Sequence, residues 1–208
     1  MDLKIYNIGL LGLNTYLLTD KESKESILID LGGEYNQIID DIKALGTNLK
    51  YILNTHGHFD HVLCEKEFQN EYPEIPIYIN KEDQVHLNNL KDEIKWCGLT
   101  RDIEAPTPTK YIDENSELFI GKNKIKIFHT PGHSKGSLCF YIDGKLFAGD
   151  TLFQRSIGRT DLYDGDYDSL IESVKTKLFN LPDDTIVYPG HGPKTTIGEE
   201  KKYNTYLK

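Results

Sequence analysis

The sequence predicts a mixed α and β fold in which two strand-rich halves, each with its own helices, form two sheets packed face to face. Short β-rich runs crowd residues 3–29 and again residues 110–148. Segments with helical spacing of apolar residues stand between and after these runs. The chain has 208 residues, enough for one domain with a sizeable core, so we expect a single domain over 1–208.

The first half begins with strands and then alternates helices with strands. Runs of β-branched and aromatic residues predict the strands, and a polar turn at 20–24 separates the second from the third. Apolar residues from Tyr35 to Leu45 recur at helical spacing, and Gly46 is a typical stop signal. The predicted order is strands over 3–8, 15–19 and 26–29, a helix over 35–45, a strand over 51–53, a helix over 62–71, a strand over 75–79 and a helix over 81–97.

The second half again begins with strands and continues with helices, after an irregular segment. Residues 98–108 contain Pro106 and Pro108, which predict a surface loop that we expect to border the functional site. Asp143-Gly144 is a hairpin turn signal. The predicted order is strands over 110–112, 117–120, 124–128, 137–142 and 145–148, a helix over 168–178, a strand over 185–188 and a last helix over 198–206.

Composition excludes several classes of protein. The net charge is −9 without any basic block, which argues against nucleic acid as a ligand. No segment approaches the roughly 18 apolar residues of a membrane span, and the N-terminus lacks the pattern of a secretory signal, so we expect a cytoplasmic protein. Cys64, Cys97 and Cys139 are widely spaced, which predicts free thiols, that of Cys139 buried in an apolar run.

The segment Thr55-His56-Gly57-His58-Phe59-Asp60-His61 carries the strongest chemical signal. Four potential metal ligands fall within six positions, and imidazole and carboxylate suit zinc, iron and manganese. If side chains alternate along this stretch, His56, His58 and Asp60 line one side of a tight loop and His61 reaches a second position. Such a segment can serve two neighbouring ions.

Three further motifs place a potential ligand beside a glycine after a β-rich run. They are Thr130-Pro131-Gly132-His133-Ser134, Phe147-Ala148-Gly149-Asp150-Thr151 and Tyr188-Pro189-Gly190-His191-Gly192. Strand ends hold ligands rigidly and loops let them converge. The alternative, scattered surface or core histidines, suits His86 and His129, neither of which has ligand spacing; we expect neither to bind metal.

Together these motifs resemble those of the metallo-β-lactamase superfamily, in the same order along the chain. The resemblance implies a four-layer αββα sandwich. It also implies a first metal held by His56, His58 and His133, a second held by Asp60, His61 and His191, and Asp150 bridging both. The two ions would be divalent, most simply zinc, with iron or manganese as alternatives.

The resemblance also implies a hydrolytic reaction. A water between two ions becomes a hydroxide nucleophile near neutral pH, and the ions polarise the substrate carbonyl. Asp60 is the expected catalytic residue, orienting that hydroxide and then protonating the leaving group. Asp30 can orient a ligand histidine or simply end a strand, and the same two interpretations stay open for Thr55, Thr130 and Ser134.

Within the superfamily the chain is most similar to the short glyoxalase II-like (hydroxyacylglutathione hydrolase-like) group. The resemblance includes Asn14-Thr15-Tyr16, 29–33 and 198–204 besides the ligand motifs. True β-lactamases of this fold usually have cysteine where this chain has Asp150. Glyoxalase II cleaves S-lactoylglutathione, but its C-terminal helical extension, which contacts glutathione, has no counterpart here. We therefore expect a small thioester or related ester as substrate, and a monomer or small homo-oligomer.

The segment after Asp150 offers weaker candidates for substrate contact. They are Arg159 and Tyr163, in a stretch over 154–163 whose Gly158-Arg159-Thr160-Asp161 segment is familiar from glyoxalase II-like proteins. Arg159 also has a structural interpretation, as a partner of Asp161 or Asp166. Arg155 lies in the same stretch.

Two other functions stay open. One is an iron-dependent persulfide dioxygenase of the same fold, whose iron would be held by residues matching His56, His133 and Asp150. The other is a non-catalytic metal-binding protein. Iron content and oxygen uptake would identify the first, and stability after chelation without any ester turnover would favour the second.

Overall fold

A computed structural model describes residues 1–9, 11–100 and 102–208. Six strands form the first sheet, and their spatial order follows their order in the chain. Antiparallel pairing joins the first three, and parallel pairing joins the third to the sixth. They are β1 (Asp2–Ile8), β2 (Leu13–Asp20), β3 (Glu25–Ile29), β4 (Asn48–Leu53), β5 (Ile77–Ile79) and β6 (Lys110–Tyr111).

The second sheet also has six strands. In chain order, the strands of this half are β7 (Leu118–Ile120), β8 (Asn123–His129), β9 (Leu138–Ile142), β10 (Lys145–Gly149), β11 (Leu152–Phe153), β12 (Ser156–Ile157), β13 (Ile186–Pro189) and β14 (Thr195–Thr196). The sheet order is β14-β13-β10-β9-β8-β7, while β11 and β12 form a separate two-stranded hairpin. The sequence did not predict β11, β12 or β14, since two residues give too short a pattern to recognise.

Six α-helices accompany the sheets in the part of the chain that the structure describes. They are α1 (Asn36–Leu45), α2 (Phe59–Val62), α3 (Glu65–Glu71), α4 (Gln84–Trp96), α5 (Tyr167–Thr176) and α6 (Ile197–Tyr203). Gly46 ends α1 in the left-handed conformation, at φ 61°, as the stop signal predicted. Among the described residues, no helix is both long and apolar enough to cross a membrane.

Alternation along the strands builds the layers. Tyr16 and Leu18 on β2 face a core shared with the second sheet, whereas Leu17 faces the helices α1 and α3. On the other side of the molecule, Leu170 and other residues of α5 and α6 pack on the outer face of the second sheet. The order helix, sheet, sheet, helix confirms the predicted αββα sandwich.

The predicted helix over 62–71 is wrong in detail. Helical structure begins earlier, at Phe59, and is broken between Val62 and Glu65. The break has a clear cause, because the Leu31 N–H donates to the His61 carbonyl and the Cys64 N–H donates to the Leu31 carbonyl. Backbone groups that would continue the helix are therefore bonded to the end of β3.

The predicted irregular segment 98–108 has no regular secondary structure over its described residues, and Arg101 lies outside them. Ile103 is buried against Leu87, Leu90 and Ile94 of α4. The segment thus covers an apolar face of that helix. Cys97 and Cys139 form no disulfide with any described residue; Cys139 is buried as predicted, whereas Cys97 is exposed.

Candidate metal centre

Four strand ends deliver the predicted ligands to one edge of the sandwich. The loop after β4 carries His56 and His58, and the loop after β8 carries His133. Asp150 directly follows β10, and His191 follows β13. Two of these strands, β10 and β13, pair in parallel, so their carboxyl ends lie side by side.

The structure brings all seven predicted ligands together. In each of three overlapping groups, one ligand atom from every residue lies within 4.8 Å of the others. The groups are His56, His58 and His133; His56, His61 and Asp150; and Asp60, His61 and His191. We call these seven side chains the floor, because five of them line the cavity described below and the other two, His56 and His61, lie beneath it in the same groups.

One expectation about the first motif is wrong. Alternation stops at His58, which has extended backbone angles before α2, and Asp60 and His61 lie within that helical turn. Neighbouring residues of a helix point about 100° apart, so helical geometry and not strand alternation directs these two side chains. Both join the same group with His191.

The first group consists of imidazoles alone. The Nε2 atom of His133 lies 2.9 Å from His58 Nδ1 and 3.2 Å from His56 Nε2. Burial, followed by the neighbouring histidines, lowers the pKa of His56 and of His58 well below the usual value. These two rings are therefore neutral and offer lone pairs, as metal ligands must.

Hydrogen bonds on the far side of two rings fix which nitrogen carries the proton. The Thr55 hydroxyl donates to Asp30 Oδ2, so its oxygen can only accept from His56 Nδ1, at 3.1 Å. His133 Nδ1 donates to the Arg159 carbonyl oxygen at 2.8 Å. In both rings Nε2 is left with its lone pair directed into the centre.

The second group combines one carboxylate with two histidines. Asp60 Oδ2 lies 3.0 Å from His191 Nε2 and 3.8 Å from His61 Nε2. Burial alone would lower the pKa of His61, but Asp30, Asp60 and Asp150 together raise it well above the usual value. Despite burial, His61 and His191 hold the pKa of Asp60 below its usual range. The group is therefore built to hold positive charge, whether a proton or a metal ion.

Asp150 lies between the two groups. Its Oδ1 is 3.4 Å from His61 Nε2, and its Oδ2 is 3.7 Å from His133 Nε2 and 3.8 Å from His191 Nε2. Gly190 is what lets Asp150 approach, because a Cβ there would stand 2.3 Å from Oδ1. Oδ2 thus lies between a histidine of each group, and Oδ1 faces the second group.

The donor set fits divalent cations. Two buried polar atoms at the centre, His61 Nε2 and Asp150 Oδ1, lack hydrogen-bond partners among the described residues. Buried polar atoms are normally paired, and exceptions at a site ask for a ligand. Histidine and aspartate suit zinc, iron and manganese equally, so the donors do not select one metal.

Asp30 orients His61 and Thr55 through hydrogen bonds on the side away from the cavity. Its Oδ2 accepts from His61 Nδ1 at 2.8 Å and from Thr55 Oγ1, and its Oδ1 accepts from the Thr55 N–H. Asp30 itself has φ 56°, the left-handed conformation that aspartate tolerates better than most residues. Of the two interpretations of Asp30, the structure supports the one that orients a ligand histidine.

Thr130 and Ser134 occupy different positions. Thr130 Oγ1 bonds the Ser137 carbonyl and Thr151 Oγ1, among groups away from the floor. Ser134 Oγ donates to Asp83 Oδ2 at 2.8 Å. Only Thr55 of the three hydroxyls contacts a floor residue directly, through His56 and, at 3.5 Å, His61.

Asp83 is a residue that the sequence reasoning missed. Its carboxylate is buried and accepts from the Gly57 N–H at 2.8 Å, from Ser134 Oγ and from the Gly136 N–H at 2.6 Å. It therefore ties the loop that carries His56 and His58 to the loop that carries His133. In the sequence, an acidic residue directly before a helix is interpreted as an ordinary N-cap, so its role in joining the two loops was not predicted.

His86 adjoins the floor, although its spacing did not suggest a role. Its ring lies 4.4 Å from the His58 ring, and its two nitrogens contact Glu93 Oε1 at 2.8 Å and Asp164 Oδ1 at 3.1 Å. Despite burial, these carboxylates raise the pKa of His86 to about 10. Asp83, His86 and Asp164 form a further cluster of potential metal ligands, but both nitrogens of His86 are engaged. That His86 is not a ligand stays a prediction.

His129 lies outside the site, with Nε2 donating to the Lys135 carbonyl.

A cavity of about 740 Å³ opens above the floor. Leu11, Trp96, Cys97, Arg159 and Tyr163 line it, and we call these five residues the rim. The helix α4 supplies the wall that the sequence had assigned to residues 98–108, none of whose described members lines the cavity. That expectation is wrong because the segment packs on α4 instead of over the floor.

The two arginines near Asp150 have different surroundings. The guanidinium of Arg159 forms two hydrogen bonds with the Asp161 carboxylate, at 2.8 and 2.9 Å, which is the structural pair foreseen in the sequence. Arg155 instead pairs with Glu199 and lies over the Tyr203 ring, away from the cavity. Tyr163 is 81% exposed on the rim.

Comparison with known proteins agrees with this geometry. The family described as "Metallo-beta-lactamase superfamily" matches residues 8–191. Hydroxyacylglutathione hydrolase GloC of Haemophilus influenzae is 37% identical over 210 residues, covering 100% of this chain and 98% of that protein. A crystal structure of the B3 metallo-beta-lactamase BLEG-1 superposes with a TM-score of 0.89 at 37% identity, covering 99% of each chain. TTHA1623 in a di-iron-bound form gives a TM-score of 0.87 at 34% identity, covering 98% of this chain and all of that one.

Proposed function

The chain belongs to the metallo-beta-lactamase superfamily, and from this we propose that it is a metal-dependent hydrolase that cleaves a thioester or a related acyl ester. The supporting observation is the convergence of seven histidine and aspartate side chains on the floor of one open cavity. The full-length similarity to a hydroxyacylglutathione hydrolase favours a thioester. Membership of the superfamily by itself implies only a metallo-hydrolase with a small-molecule substrate.

The proposed ligands follow the groups in the structure. His56, His58 and His133 would hold one ion, Asp60, His61 and His191 would hold another, and Asp150 would face both. When bound, two divalent ions there would acidify a water molecule and polarise the substrate carbonyl. We propose zinc as the resident metal; iron is the main alternative because a relative binds two iron ions, and the donors accept manganese as well.

Asp60 is the proposed catalytic residue. It lines the cavity, and its depressed pKa keeps Oδ2 ionised near neutral pH. An ionised carboxylate beside the reacting water accepts a proton and orients the attack. The same oxygen then returns the proton to the departing thiolate or alkoxide.

The test combines metal analysis with turnover. Protein loaded separately with zinc, iron or manganese is analysed for metal content, and hydrolysis of S-lactoylglutathione is followed with and without a chelator. We expect two metal ions per chain and turnover that stops on chelation and returns on reloading. Turnover that persists in metal-free protein contradicts the proposal. A β-lactam is assayed in parallel because BLEG-1 is a metallo-beta-lactamase, and absence of all ester turnover favours the non-catalytic alternative.

An iron-dependent persulfide dioxygenase is the second candidate. The three residues it would use lie together, with His133 Nε2 3.2 Å from His56 Nε2 and 3.7 Å from Asp150 Oδ2. This candidate predicts one iron per chain and oxygen uptake with glutathione persulfide. Two ions per chain and no oxygen uptake favour the hydrolase.

The cellular setting is also part of the proposal. We propose a cytoplasmic enzyme that acts as a monomer or small homo-oligomer. Cell fractionation and light scattering test these two statements independently of the reaction.

A further inference from the structure

The three most exposed large apolar side chains of the described residues all lie on the rim. Leu11 is 60% exposed, Trp96 75% and Tyr163 81%, and all three line the cavity above the floor. Every other exposed large apolar side chain among the described residues is below 50%. They come from segments far apart in sequence, so the fold gathers them at one place. Apolar surface concentrated around a site indicates a ligand with apolar parts.

The positively charged side chains that line the cavity are already engaged by carboxylates. Arg159 is the one lysine or arginine among the described lining residues, and its guanidinium is paired with Asp161. His86 contacts Glu93 and Asp164 through its two nitrogens. Asp92 adds another carboxylate to the wall. The two carboxylates of a glutathione thioester would therefore meet no uncommitted cation among the described side chains of the cavity.

We propose that the cavity binds acyl thioesters whose thiol part is apolar and carries no net negative charge. The acyl carbonyl would lie over the floor, and the thiol part would contact Trp96, Tyr163 and Leu11. In the reaction the water oxygen bonds to the acyl carbon, the carbon–sulfur bond breaks, and one water proton ends on sulfur. The products are a carboxylate with its released proton and a neutral thiol, without any oxidant or reductant. This inference rests on the proposed thioester hydrolysis and specifies its substrate.

Three substrates with the same lactoyl group test the proposal. They are S-lactoylglutathione, with one net negative charge, its diamide, with one net positive charge, and the lactoyl thioester of phenylmethanethiol, which is neutral and aromatic. We expect kcat/KM to be highest for the phenylmethanethiol ester and lowest for S-lactoylglutathione, with at least about a tenfold difference between them. The diamide lies between them because it removes the negative charge without adding apolar surface.

A charge variant tests the same idea in the protein. Asp161→Asn leaves the Arg159 guanidinium without its carboxylate partner, so kcat/KM for S-lactoylglutathione should rise by about two- to fivefold and that for the diamide should fall. Asp2→Asn is the matched control, because Asp2 is an exposed carboxylate paired with Lys21 and does not line the cavity. The control should leave the ratio of the two substrates unchanged.

The outcomes separate this inference from the proposed function. Chelator-sensitive turnover with S-lactoylglutathione as the best substrate overturns the inference and leaves the thioesterase intact. An unchanged substrate ratio in Asp161→Asn also counts against it. Absence of chelator-sensitive turnover for all three thioesters overturns the thioesterase proposal and this inference together.

Discussion

The floor and the rim of the cavity are built in opposite ways. Five of the seven floor residues are buried, and three of the rings are oriented by hydrogen bonds to Asp30, Thr55 and the Arg159 carbonyl. Trp96 and Tyr163 on the rim are mostly exposed. A preorganised floor suits chemistry that does not change between relatives, whereas an exposed rim can change without loss of the fold. The comparison suggests that reaction type and substrate choice are separable in this protein.

Removing a ligand of the group formed by Asp60, His61 and His191 should have the largest effect. We expect His61→Ala or Asp60→Ala to lose the second metal ion and to lower kcat/KM by about 10²–10⁴-fold, the range for a lost acid–base group. Metal analysis and thioester turnover measure the two effects together. His129→Ala is the matched control, because His129 lies outside the cavity and donates to the Lys135 carbonyl. Full metal content and full activity in the His61 variant would remove the ligand assignment.

Asp30→Asn should weaken metal binding by the floor. The change keeps the size of the side chain but replaces the carboxylate that accepts from His61 Nδ1. Loss of such a partner typically costs about 10–100-fold in metal affinity or activity. A competition titration with a coloured chelator measures the affinity. An affinity equal to that of the unchanged protein would show that Asp30 merely ends the strand.

The floor was predictable because its information is local. Four ligands fall within residues 56–61, and the other three each adjoin a glycine after a strand, so short motifs name all seven. The sandwich followed from strand-rich halves and from the resemblance carried by these motifs. The broken helix after Val62 was not predictable, because its cause is a pair of backbone hydrogen bonds to Leu31 across the fold.

Most of the rim was not predictable from the sequence, because its residues are far apart along the chain. Leu11 and Trp96 carry no motif, and only the fold brings them to the same opening as Tyr163. The assignment of the wall to residues 98–108 failed because α4 covers that side. The sequence shows Leu11 and Trp96 only as apolar side chains without a periodic pattern. Such residues are common on protein surfaces, so they did not indicate a cavity.

Asp83→Ala tests whether the floor depends on support between its loops. The variant leaves the Gly57 N–H, the Gly136 N–H and the Ser134 hydroxyl without their common acceptor, and each buried donor left unpaired costs about 1–3 kcal/mol. We expect a lower Tm and weaker binding of the first metal, held by histidines on the two tied loops. Asp83→Asn, which keeps an acceptor oxygen, should recover part of both losses. Equal loss in the two variants would mean that charge, not the shared hydrogen bonds, is what matters.

Trp96→Ala should affect the rim alone. We expect metal content and Tm to stay unchanged, because Trp96 is mostly exposed, while KM for an aromatic thioester rises by up to about tenfold through loss of apolar contact. Tyr167→Ala is the control, since Tyr167 is an exposed aromatic that does not line the cavity. A change in metal content in the Trp96 variant would show that floor and rim are coupled.

The smallest predicted effect on activity concerns a carboxyl group behind the floor. Glu65 is fully buried, accepts from Asn54 Nδ2 at 2.9 Å, and has a pKa that burial raises well above the usual value. Below the unfolded-state pKa, near 4.5, both states carry the proton. Above it the unfolded chain releases the proton while the folded protein keeps it, so this group lowers the free energy of unfolding as pH rises, by up to about 1.4 kcal/mol per pH unit.

Glu65→Gln keeps an acceptor for Asn54 and removes the titration, so it isolates that contribution. We expect the metal-loaded variant to match the unchanged protein near pH 4.5 and to become progressively more stable than it toward pH 7, as measured by urea unfolding. Glu117→Gln, at an exposed carboxylate paired with Lys124, provides a control without burial. Parallel stability curves for the Glu65 variant and the unchanged protein would mean that Glu65 is ionised in the fold. Because Glu65 does not line the cavity, the variant should leave substrate preference unchanged, which separates stability from specificity.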